Sequence, residues 1–394
     1  MARLSHRGEV AAATQSTYAA FVAAGFGFSS WASRIPQIKS RLGLDASELG
    51  LLLLAIAVGS TIALPLSGPV VARFGSRRAV ATAAALAGAS LATVAIGERI
   101  GVAMVAAGLF TFGFASGIWD VSMNVQGAIV ERRRGDAIMS RFHAGFSLGT
   151  VIGALSGAAM VALGVSVTAH LIVVGIAIGT GAPVAVSRFL PDHAGRQRER
   201  TAGRTAARQS LAAWRERRTL LIGVVVLAFA LAEGAGNDWI SVGLIDGHRA
   251  APVVGTLGYA AFVTAMTSVR WVGPWLLHRH GRVAVIRAMI LVAIAGVALF
   301  AFGPSTPVAA AGAVLWGAGT ALGFPVGMSA GADDPALAAS RVSVISSVGY
   351  CAFLGGPPLI GFLGQLSSVP HALAAVIVAL AVARVLSAAV RPPA

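Results

Sequence analysis

Apolar runs of about 20 residues, separated by short polar segments, follow one another along almost the whole chain. As a helix, a run of this length spans the hydrocarbon core of a bilayer. Hydrophobic residues make up 56% of the chain and charged residues only 11%, whereas soluble domains carry roughly 25% charged residues. The pattern therefore predicts an all-α membrane protein that crosses the bilayer many times.

The apolar runs divide into two sets of six. The twelve predicted spans are Ala12–Ile35, Leu49–Val71, Ala79–Ile96, Val102–Gln126, Ile138–Leu163, Ala169–Phe189, Leu220–Val242, Val253–Leu276, Val283–Phe302, Pro307–Ser329, Val342–Leu363 and His371–Val390. A polar, arginine-rich stretch separates the sixth span from the seventh. We therefore expect an N-terminal six-helix bundle over residues 1–189, a basic cytoplasmic linker over 190–218 and a C-terminal six-helix bundle over 219–394.

The net charge of +15 comes mainly from arginines that cluster in alternate segments between the runs. Clusters at 73–78 and 132–134 and in the stretch from 188 to 218 would all lie on one side of the membrane. Because cytoplasmic loops carry an excess of basic residues, both termini are predicted to be cytoplasmic in a bacterial inner membrane. This distribution does not suit a nucleic-acid groove, so nucleic acid is not an expected partner.

Two acids lie deep inside the predicted spans, Asp120 and Glu233, and each is followed four residues later by an asparagine, Asn124 and Asn237. This spacing places each acid and its amide on one face of a helix. An ionisable group within a membrane span is costly, and it commonly lines a cavity or a pairing site. Two polar stripes on separate helices are what a pathway for a solute and a proton would need.

Several residues are candidates for the chemistry of such a pathway. A coupling proton could reside on Glu233, Asp120 or His143, the last of which titrates near neutral pH. The candidates for solute binding are Asp120, Asn124, Gln126, Asn237, Trp239 and Tyr350. The structural alternatives are a carboxyl hydrogen-bonded between helices for Glu233, a polar lock between the fourth and fifth spans for Asp120 and His143, and lipid contact for the aromatic residues.

Charged residues near the ends of the spans are candidates for gating. Arg141 and Arg341 begin the fifth and eleventh spans, where they could form gate ion pairs, and Asp238 lies near the outer end of the seventh. The alternative for the arginines is anchoring to lipid phosphates. Arg270 lies within the eighth span, and snorkelling toward the nearby interface would explain it.

The two halves repeat one another weakly but in order. Trp31 recurs as Trp239, Gly113-Phe114 recurs as Gly323-Phe324, and Ser140-Arg141 recurs as Ser340-Arg341. Two parallel six-helix repeats with a solute site between them, near the midplane, are a known transporter plan.

The loop after the second span carries a family signature. Its sequence, Gly68-Pro-Val-Val-Ala72-Arg73-Phe-Gly75-Ser-Arg77-Arg, resembles the motif Gly-x-Leu-Ala-Asp-Arg-x-Gly-Arg-Arg of the major facilitator superfamily. The resemblance implies a gating role for Gly68, Arg73, Gly75 and Arg77. The usual acidic position is Ala72, which departs from the pattern.

Further segments resemble bacterial permeases related to the fucose permease branch of this superfamily. They are Trp31–Pro36, Asp120–Gln126, Ser140–His143, and Gly349-Tyr350 with Gly356–Pro358. The resemblance covers the whole chain. It implies the superfamily fold, two pseudosymmetric six-helix bundles around a central cavity, with transport by alternating access.

Motifs for enzymatic chemistry are missing from the sequence. It has no Walker loop, no Gly-x-Ser-x-Gly, no nucleotide fingerprint and no metal-spaced His/Cys cluster. We therefore expect no enzyme activity and no cofactor. The expected partners are a small-molecule substrate, protons and the lipid bilayer, with the protein acting as a monomer.

Three functions remain open at this point. The first is proton-coupled secondary transport of a small organic solute, sugar-like or otherwise polar. The second is efflux of drugs or metabolites by proton antiport. The third is a membrane sensor that does not transport. A sensor predicts a large cytoplasmic module, which the predicted linker is too short to supply.

Overall fold

The computed structural model describes residues 2–136, 138–192, 212–334 and 337–392, with side chains from residue 8 onward. Within these ranges the secondary structure consists of helices, with no β-strand. The chain separates into two compact units, Met1–Leu44 with Leu52–Arg196, and Asp45–Leu51 with Gln197–Ala394. Residues 193–211 of the predicted linker lie outside the described residues, so its boundaries stay a prediction.

Seven helices lie in the first half of the chain. They are α1 (Ala2–Ala32), α2 (Ile35–Leu42), α3 (Ala46–Phe74), α4 (Ser76–Ile100), α5 (Val102–Arg134), α6 (Met139–Ala162) and α7 (Val167–Ala185), the last followed by a short 3₁₀ turn, Val186–Arg188. In the second half the described residues form α8 (Arg217–Val242), which continues as the π-turn Gly243–Gly247, then α9 (Pro252–His280), α10 (Arg282–Phe302), α11 (Thr306–Thr320), α12 (Gly323–Gly331), α13 (Ala338–Leu366), α14 (Val369–Ala372) and α15 (Ala374–Leu386), with a final 3₁₀ turn, Ser387–Val390.

Eleven helical segments among the described residues are long and apolar enough to cross a membrane. The remaining predicted span, Ala12–Ile35, corresponds to α1, a helix of 31 residues that carries the polar run Thr14-Gln15-Ser16-Thr17. The prediction of an all-α membrane fold is therefore confirmed.

A face of small residues on α6 lets this helix approach α1 closely. A Cβ atom added at Gly149 would overlap the carbonyl oxygen of Val22, and one added at Gly153 would lie 2.6 Å from the carbonyl oxygen of Phe26. Side chains larger than hydrogen would push the two backbones apart, which is how small residues set helix distances in membranes. The glycines at these two positions therefore fix the packing of α1 on α6.

The predicted tenth span is broken. It was expected as one helix over Pro307–Ser329, but α11 ends at Thr320 and α12 begins at Gly323. The cause lies in the sequence, because Pro325 has no N–H with which to bond the carbonyl of Ala321, four residues earlier. A discontinuous helix is characteristic of solute sites in transporters.

The two halves share a backbone feature at equivalent places. Gly75 precedes α4 with φ 82° and ψ 155°, and Gly281 precedes α10 with φ 77° and ψ 158°. Residues with a side chain rarely adopt such positive φ values. The turn of the family motif therefore recurs in the second half, although its sequence there is degenerate.

Candidate solute and proton sites

The first unit contains a cavity of about 180 Å³ between its helices. At roughly 30 Å³ per water molecule, this volume corresponds to about six waters. The lining residues come from α1, α4, α5, α6 and α7, and they are Ala24, Gly27, Phe28, Ala87, Phe112, Ser116, Trp119, Asp120, Met123, Phe146 and Ile178. Asp120 is the one ionisable residue of this lining, in a wall that is otherwise mostly aromatic and aliphatic.

Asp120 and Asn124 interact as their spacing predicts. Nδ2 of Asn124 donates to the backbone carbonyl of Asp120 at 2.8 Å and to its Oδ1 at 3.2 Å. Among the described residues no arginine, lysine or histidine forms an ion pair with Asp120. The carboxyl group can therefore accept a hydrogen bond from a solute hydroxyl or amine in the cavity, or take up a proton itself.

Gln126 was predicted to bind solute, but unlike Asp120 it does not line the cavity. Its side chain is fully buried, and its amide hydrogen-bonds the Oγ of Ser76 at 3.1 Å and, in the orientation that satisfies both amide ends, the backbone of Leu190. All polar atoms of the amide are thereby used within the protein. This arrangement favours a structural role for Gln126, joining α4 and α5 to the segment after α7.

The turn of the family motif is hydrogen-bonded to Asp192, an acid that follows α7 in the first unit. Both Oδ atoms of Asp192 accept hydrogen bonds from Ser76, one from its backbone N–H and the other, at 2.8 Å, from its hydroxyl. A carboxylate at the start of α4 satisfies a backbone donor that a helix leaves free at its N-terminus. Asp192 thus places a carboxylate beside Gly75 of the motif, whose usual acidic position is Ala72.

The remaining gating and proton candidates of the first unit lie at its surface. Gly68, Arg73, Arg77, Arg141 and His143 are all exposed in this structure. The guanidinium of Arg73 lies 5.4 Å from the ring centre of Phe74, and the ring of His143 meets that of Phe21 edge to face at 5.2 Å. Among the described residues Arg141 forms no ion pair, so the gate ion pair considered for it is not seen in this structure. Their functional roles stay predictions.

In the second unit, Glu233 of α8 forms an ion pair with Arg270 of α9. Nη2 of Arg270 donates to both carboxylate oxygens of Glu233, at 3.0 and 2.9 Å. Both side chains remain partly exposed, with exposed fractions of 24% for Arg270 and 22% for Glu233. The interpretation of Arg270 as a snorkelling residue is wrong, because its charge is directed at Glu233 within the membrane-spanning part of the helix.

The guanidinium of Arg270 also hydrogen-bonds the backbone where the predicted tenth span is broken, between α11 and α12. Nε of Arg270 donates to the carbonyl of Ala321 at 3.2 Å, the acceptor that Pro325 leaves without its helical donor. One arginine therefore joins three helical segments, α8 through Glu233, α9 through its own backbone and the α11–α12 junction through Ala321.

The other candidate residues on α8 and α13 differ in how far their side chains are exposed to solvent. Asn237 and Asp238 are partly exposed, and within the described residues neither side chain has a hydrogen-bond or ion-pair partner. Tyr350 is also partly exposed, and its ring lies 6.0 Å from that of Phe353. Trp239 is fully buried. In this conformation the indole of Trp239 has no exposed face on which a solute could stack, and its contact with solute stays a prediction.

Arg341, a predicted gate residue, is paired inside the second unit. Its Nε donates to Glu216 at 2.7 Å, and Asp334 lies 3.8 Å from its Nη1. The hydrogen bond from Arg341 lowers the pKa of the Glu216 carboxyl below its ordinary value.

A second acid nearby, Asp333, bridges Arg218 at 2.8 Å and Arg282 at 2.6 Å. Burial opposes ionisation of Asp333, but the hydrogen bonds from Arg282 and Arg218 outweigh it and lower its pKa. These pairs tie the starts of α8 and α10 to the segment after α12.

Comparison with known proteins identifies the family. The family model described as Major Facilitator Superfamily matches residues 17–352. An uncharacterised MFS-type transporter of Yersinia pestis is 33% identical over 362 residues, which cover 92% of this chain and 91% of that protein. The resemblance seen in the sequence motifs is thereby confirmed.

Solved structures show the same fold. The nucleoside transporter NupG superposes with a TM-score of 0.76 at 14% identity, covering 96% of this chain and 98% of that chain. A variant of the E. coli fucose:proton symporter FucP superposes with a TM-score of 0.59 at 16% identity, covering 94% of this chain and 97% of that chain. The chain therefore belongs to the major facilitator superfamily, and it is a membrane transport protein and not an enzyme.

Proposed function

We propose that this protein is a proton-coupled secondary transporter that moves a small polar organic solute across the bacterial cytoplasmic membrane by alternating access. Each unit presents polar groups inside its membrane-spanning helices, Asp120 with Asn124 in the first and Glu233 with Arg270 in the second. Intramembrane ionisable groups commonly mark solute and proton pathways. FucP, named as a fucose:proton symporter, shares the fold.

The observation that carries this proposal is the position of Asp120. Its carboxyl group lines the cavity of the first unit without a cationic partner among the described residues. A structural carboxyl would be expected to have its lone pairs satisfied by a basic group or several donors. Among the described residues Asn124 is the one hydrogen-bond partner of the Asp120 carboxyl, so it retains capacity for a solute donor or a proton.

Glu233 remains a candidate for the coupling proton, with Arg270 now part of the same site. Ionised Glu233 and the guanidinium compensate each other, so protonation of Glu233 changes the charge balance around Arg270. A change of this kind can bias a two-state equilibrium between access states, because each state stabilises one charge arrangement. His143 is a weaker candidate because it is exposed and in contact with Phe21.

The orientation and assembly are also proposed. Exposed Arg73, Arg77 and Arg78 support a cytoplasmic location for the α3–α4 turn, and hence cytoplasmic termini. Reporter fusions at the C-terminus and within the linker should both report the cytoplasm, and a periplasmic signal from either would contradict the orientation. We propose that the monomer is the transporting unit.

Efflux of an apolar drug or metabolite by proton antiport is the second candidate. The cavity wall supports it, since Phe28, Phe112, Trp119 and Phe146 outweigh the polar groups around Asp120. Aromatic walls bind apolar cargo by burial of its surface. Loaded cells separate the two functions, because efflux predicts loss of cargo in the energised state and uptake predicts its accumulation.

The test begins with a thermal-shift screen of the purified protein against a metabolite library. A hit is then followed in proteoliposomes, by accumulation driven by a pH gradient and by counterflow without a gradient. Asp120→Asn should lower both activities at least tenfold if Asp120 contacts the solute. Asp136→Asn is the control, since Asp136 is exposed and contacts Arg134 at 3.2 Å. Wild-type transport by Asp120→Asn would refute the role of Asp120, and accumulation that ignores the pH gradient would refute proton coupling.

A further inference from the structure

Arg270 is held in place by hydrogen bonds from Nε and Nη2, while its third guanidinium nitrogen, Nη1, donates none within the described residues. Nε bonds Ala321, and Nη2 bonds both oxygens of Glu233. Within the described residues Nη1 donates no hydrogen bond, and 24% of the side chain remains exposed. The guanidinium is therefore pre-positioned, with Nη1 available as a donor to a ligand.

The charge balance of the pair restricts what can happen to Glu233. Ionised Glu233 and Arg270 sum to zero, which a membrane-spanning site tolerates. Protonation of Glu233 alone would leave a guanidinium without a counter-charge, and an unpaired buried charge is strongly unfavourable. A second anion must then take the place of the Glu233 carboxylate.

We propose that Arg270 is a binding subsite for the carboxylate of an anionic solute, which replaces the Glu233 carboxylate as Glu233 takes up a proton. This inference rests on the proton coupling of the proposed function and names its substrate class. The site is neutral both with Glu233 ionised and with Glu233 protonated and the solute bound. One proton and one carboxylate therefore enter together.

The group that Arg270 already holds indicates the class of anion. A monovalent carboxylate has the same charge, and the same two oxygens for a bidentate contact, as the side chain that it replaces. A phosphate carrying two negative charges would leave one of them without compensation. Asn237, one turn from Glu233 and without a partner among the described residues, offers an amide donor for further oxygens of the solute.

The surrounding titratable groups support a single negative charge. Asp238 lies five residues after Glu233 on α8, and within the described residues it forms no ion pair with Arg270. Of the other helices packed against α8, α11 and α12 carry no titratable residue, and α15 carries Arg384 in its last turn. The middle of α9 adds Tyr259 to Arg270, and the middle of α13 adds Tyr350 and Cys351. Arg270 is thus the one permanent cation in the membrane-embedded middle of these helices.

The test measures binding of defined probes to the purified full-length protein. Lactate, gluconate and acetate are compared with their neutral counterparts propane-1,2-diol, sorbitol and acetamide, by ligand-induced shifts of the unfolding temperature. We expect at least one acid to stabilise the protein where its neutral counterpart does not. Because one proton accompanies each anion, its affinity should rise about tenfold per unit fall in pH while Glu233 is ionised. Equal shifts for acids and neutral counterparts would overturn the proposal.

Variants separate a binding site from a structural lock. Glu233→Gln mimics the protonated residue and frees the guanidinium, so it should bind the acid about tenfold or more tightly than the wild type, with no dependence on pH. The double variant Glu233→Gln/Arg270→Gln removes both charges, and it should fold and lose binding of the acid. Binding by Glu233→Gln that matches the wild type at every pH would contradict the displacement, as would binding retained by the double variant.

These measurements also keep the two proposals apart. Binding is recorded without a membrane or a gradient, so it can fail while gradient-driven transport of a neutral solute succeeds. That result would remove the carboxylate subsite and keep the proposed function. Transport that ignores the pH gradient would instead remove the proton coupling on which both rest.

Discussion

One nitrogen of Arg270, Nη2, holds both carboxylate oxygens of Glu233, at 3.0 and 2.9 Å. The two residues are 37 positions apart on adjacent helices, α8 and α9, and each is nearly four-fifths buried. A pair of this kind contributes little net stability relative to apolar residues, yet breaking it by removing one partner is costly. The pair is therefore better suited to a switch than to a scaffold.

The first prediction concerns the stability of this pair. Arg270→Gln leaves Glu233 without its cation and the Ala321 carbonyl without its donor. We expect a loss of about 3 kcal/mol, at the low end for a broken buried pair because both side chains keep partial access. This loss corresponds to a fall of roughly 6–12 °C in Tm for a unit of this size. Thermal unfolding in detergent measures it.

The control for this prediction is the double variant Glu233→Gln/Arg270→Gln. It removes both charges and should recover at least half of the lost Tm, since no unpaired charge remains. A double variant as unstable as Arg270→Gln alone would show that the Ala321 contact, and not the ion pair, accounts for the loss.

The sequence predicted contacts within one helix better than contacts between helices. The hydrogen bond between Asn124 and Asp120 follows from their i, i+4 spacing. The Glu233–Arg270 pair could not be read in this way. It depends on how α8 and α9 rotate against each other, which a single sequence does not specify.

Two candidates for solute binding were chosen for their polarity or size, and neither property specifies solvent exposure. Trp239 and Gln126 are fully buried, Gln126 with its amide satisfied by Ser76 and Leu190. One signal in the sequence was available and missed. Pro325 lies inside the predicted tenth span. Because proline has no N–H, it predicts a break in the helix and an Ala321 carbonyl without its helical donor.

The second prediction tests the contact between α1 and α6. Gly149→Val adds a side chain where even a Cβ would overlap the carbonyl oxygen of Val22. Overpacking against backbone should destabilise the protein by about 1–3 kcal/mol. Gly181→Ala on α7 is the control, because nothing lies within 4 Å of a Cβ there, and its Tm should match or exceed that of the wild type. Wild-type Tm for Gly149→Val would contradict the packing.

The third prediction tests the cavity of the first unit. Ser116 lies one turn before Asp120 on α5 and lines the cavity, so Ser116→Phe should fill much of the space. Transport should show a KM raised at least tenfold, because the solute loses volume that an aromatic ring now occupies. Thr111→Phe introduces the same side chain on α5 outside the cavity lining, where Thr111 is partly exposed, and should leave KM unchanged. Equal effects of both variants would argue against a solute site in this cavity.

The last prediction concerns acid sensitivity of the second unit. Glu216 and Asp333 have pKa values lowered from 4.5 and 3.8 by their arginine partners. A carboxyl with a lowered folded pKa stabilises the protein above its unfolded pKa, and that stabilisation is lost as pH falls through the folded value. Tm should therefore be insensitive to these two groups at neutral pH and fall below about pH 4.5 as they become protonated.

Asp333→Asn isolates one of these groups. It removes the charge that Arg218 and Arg282 share, so it should lower Tm at neutral pH by roughly 2–12 °C, for a loss of about 1–3 kcal/mol. The Tm of the variant should also fall less steeply than that of the wild type below about pH 4.5, because the variant lacks the stabilisation that protonation of Asp333 removes. Asp136→Asn, an exposed position on a loop of the first unit, should keep the wild-type curve. An Asp333→Asn curve parallel to that of the wild type would show that Asp333 does not contribute to acid sensitivity.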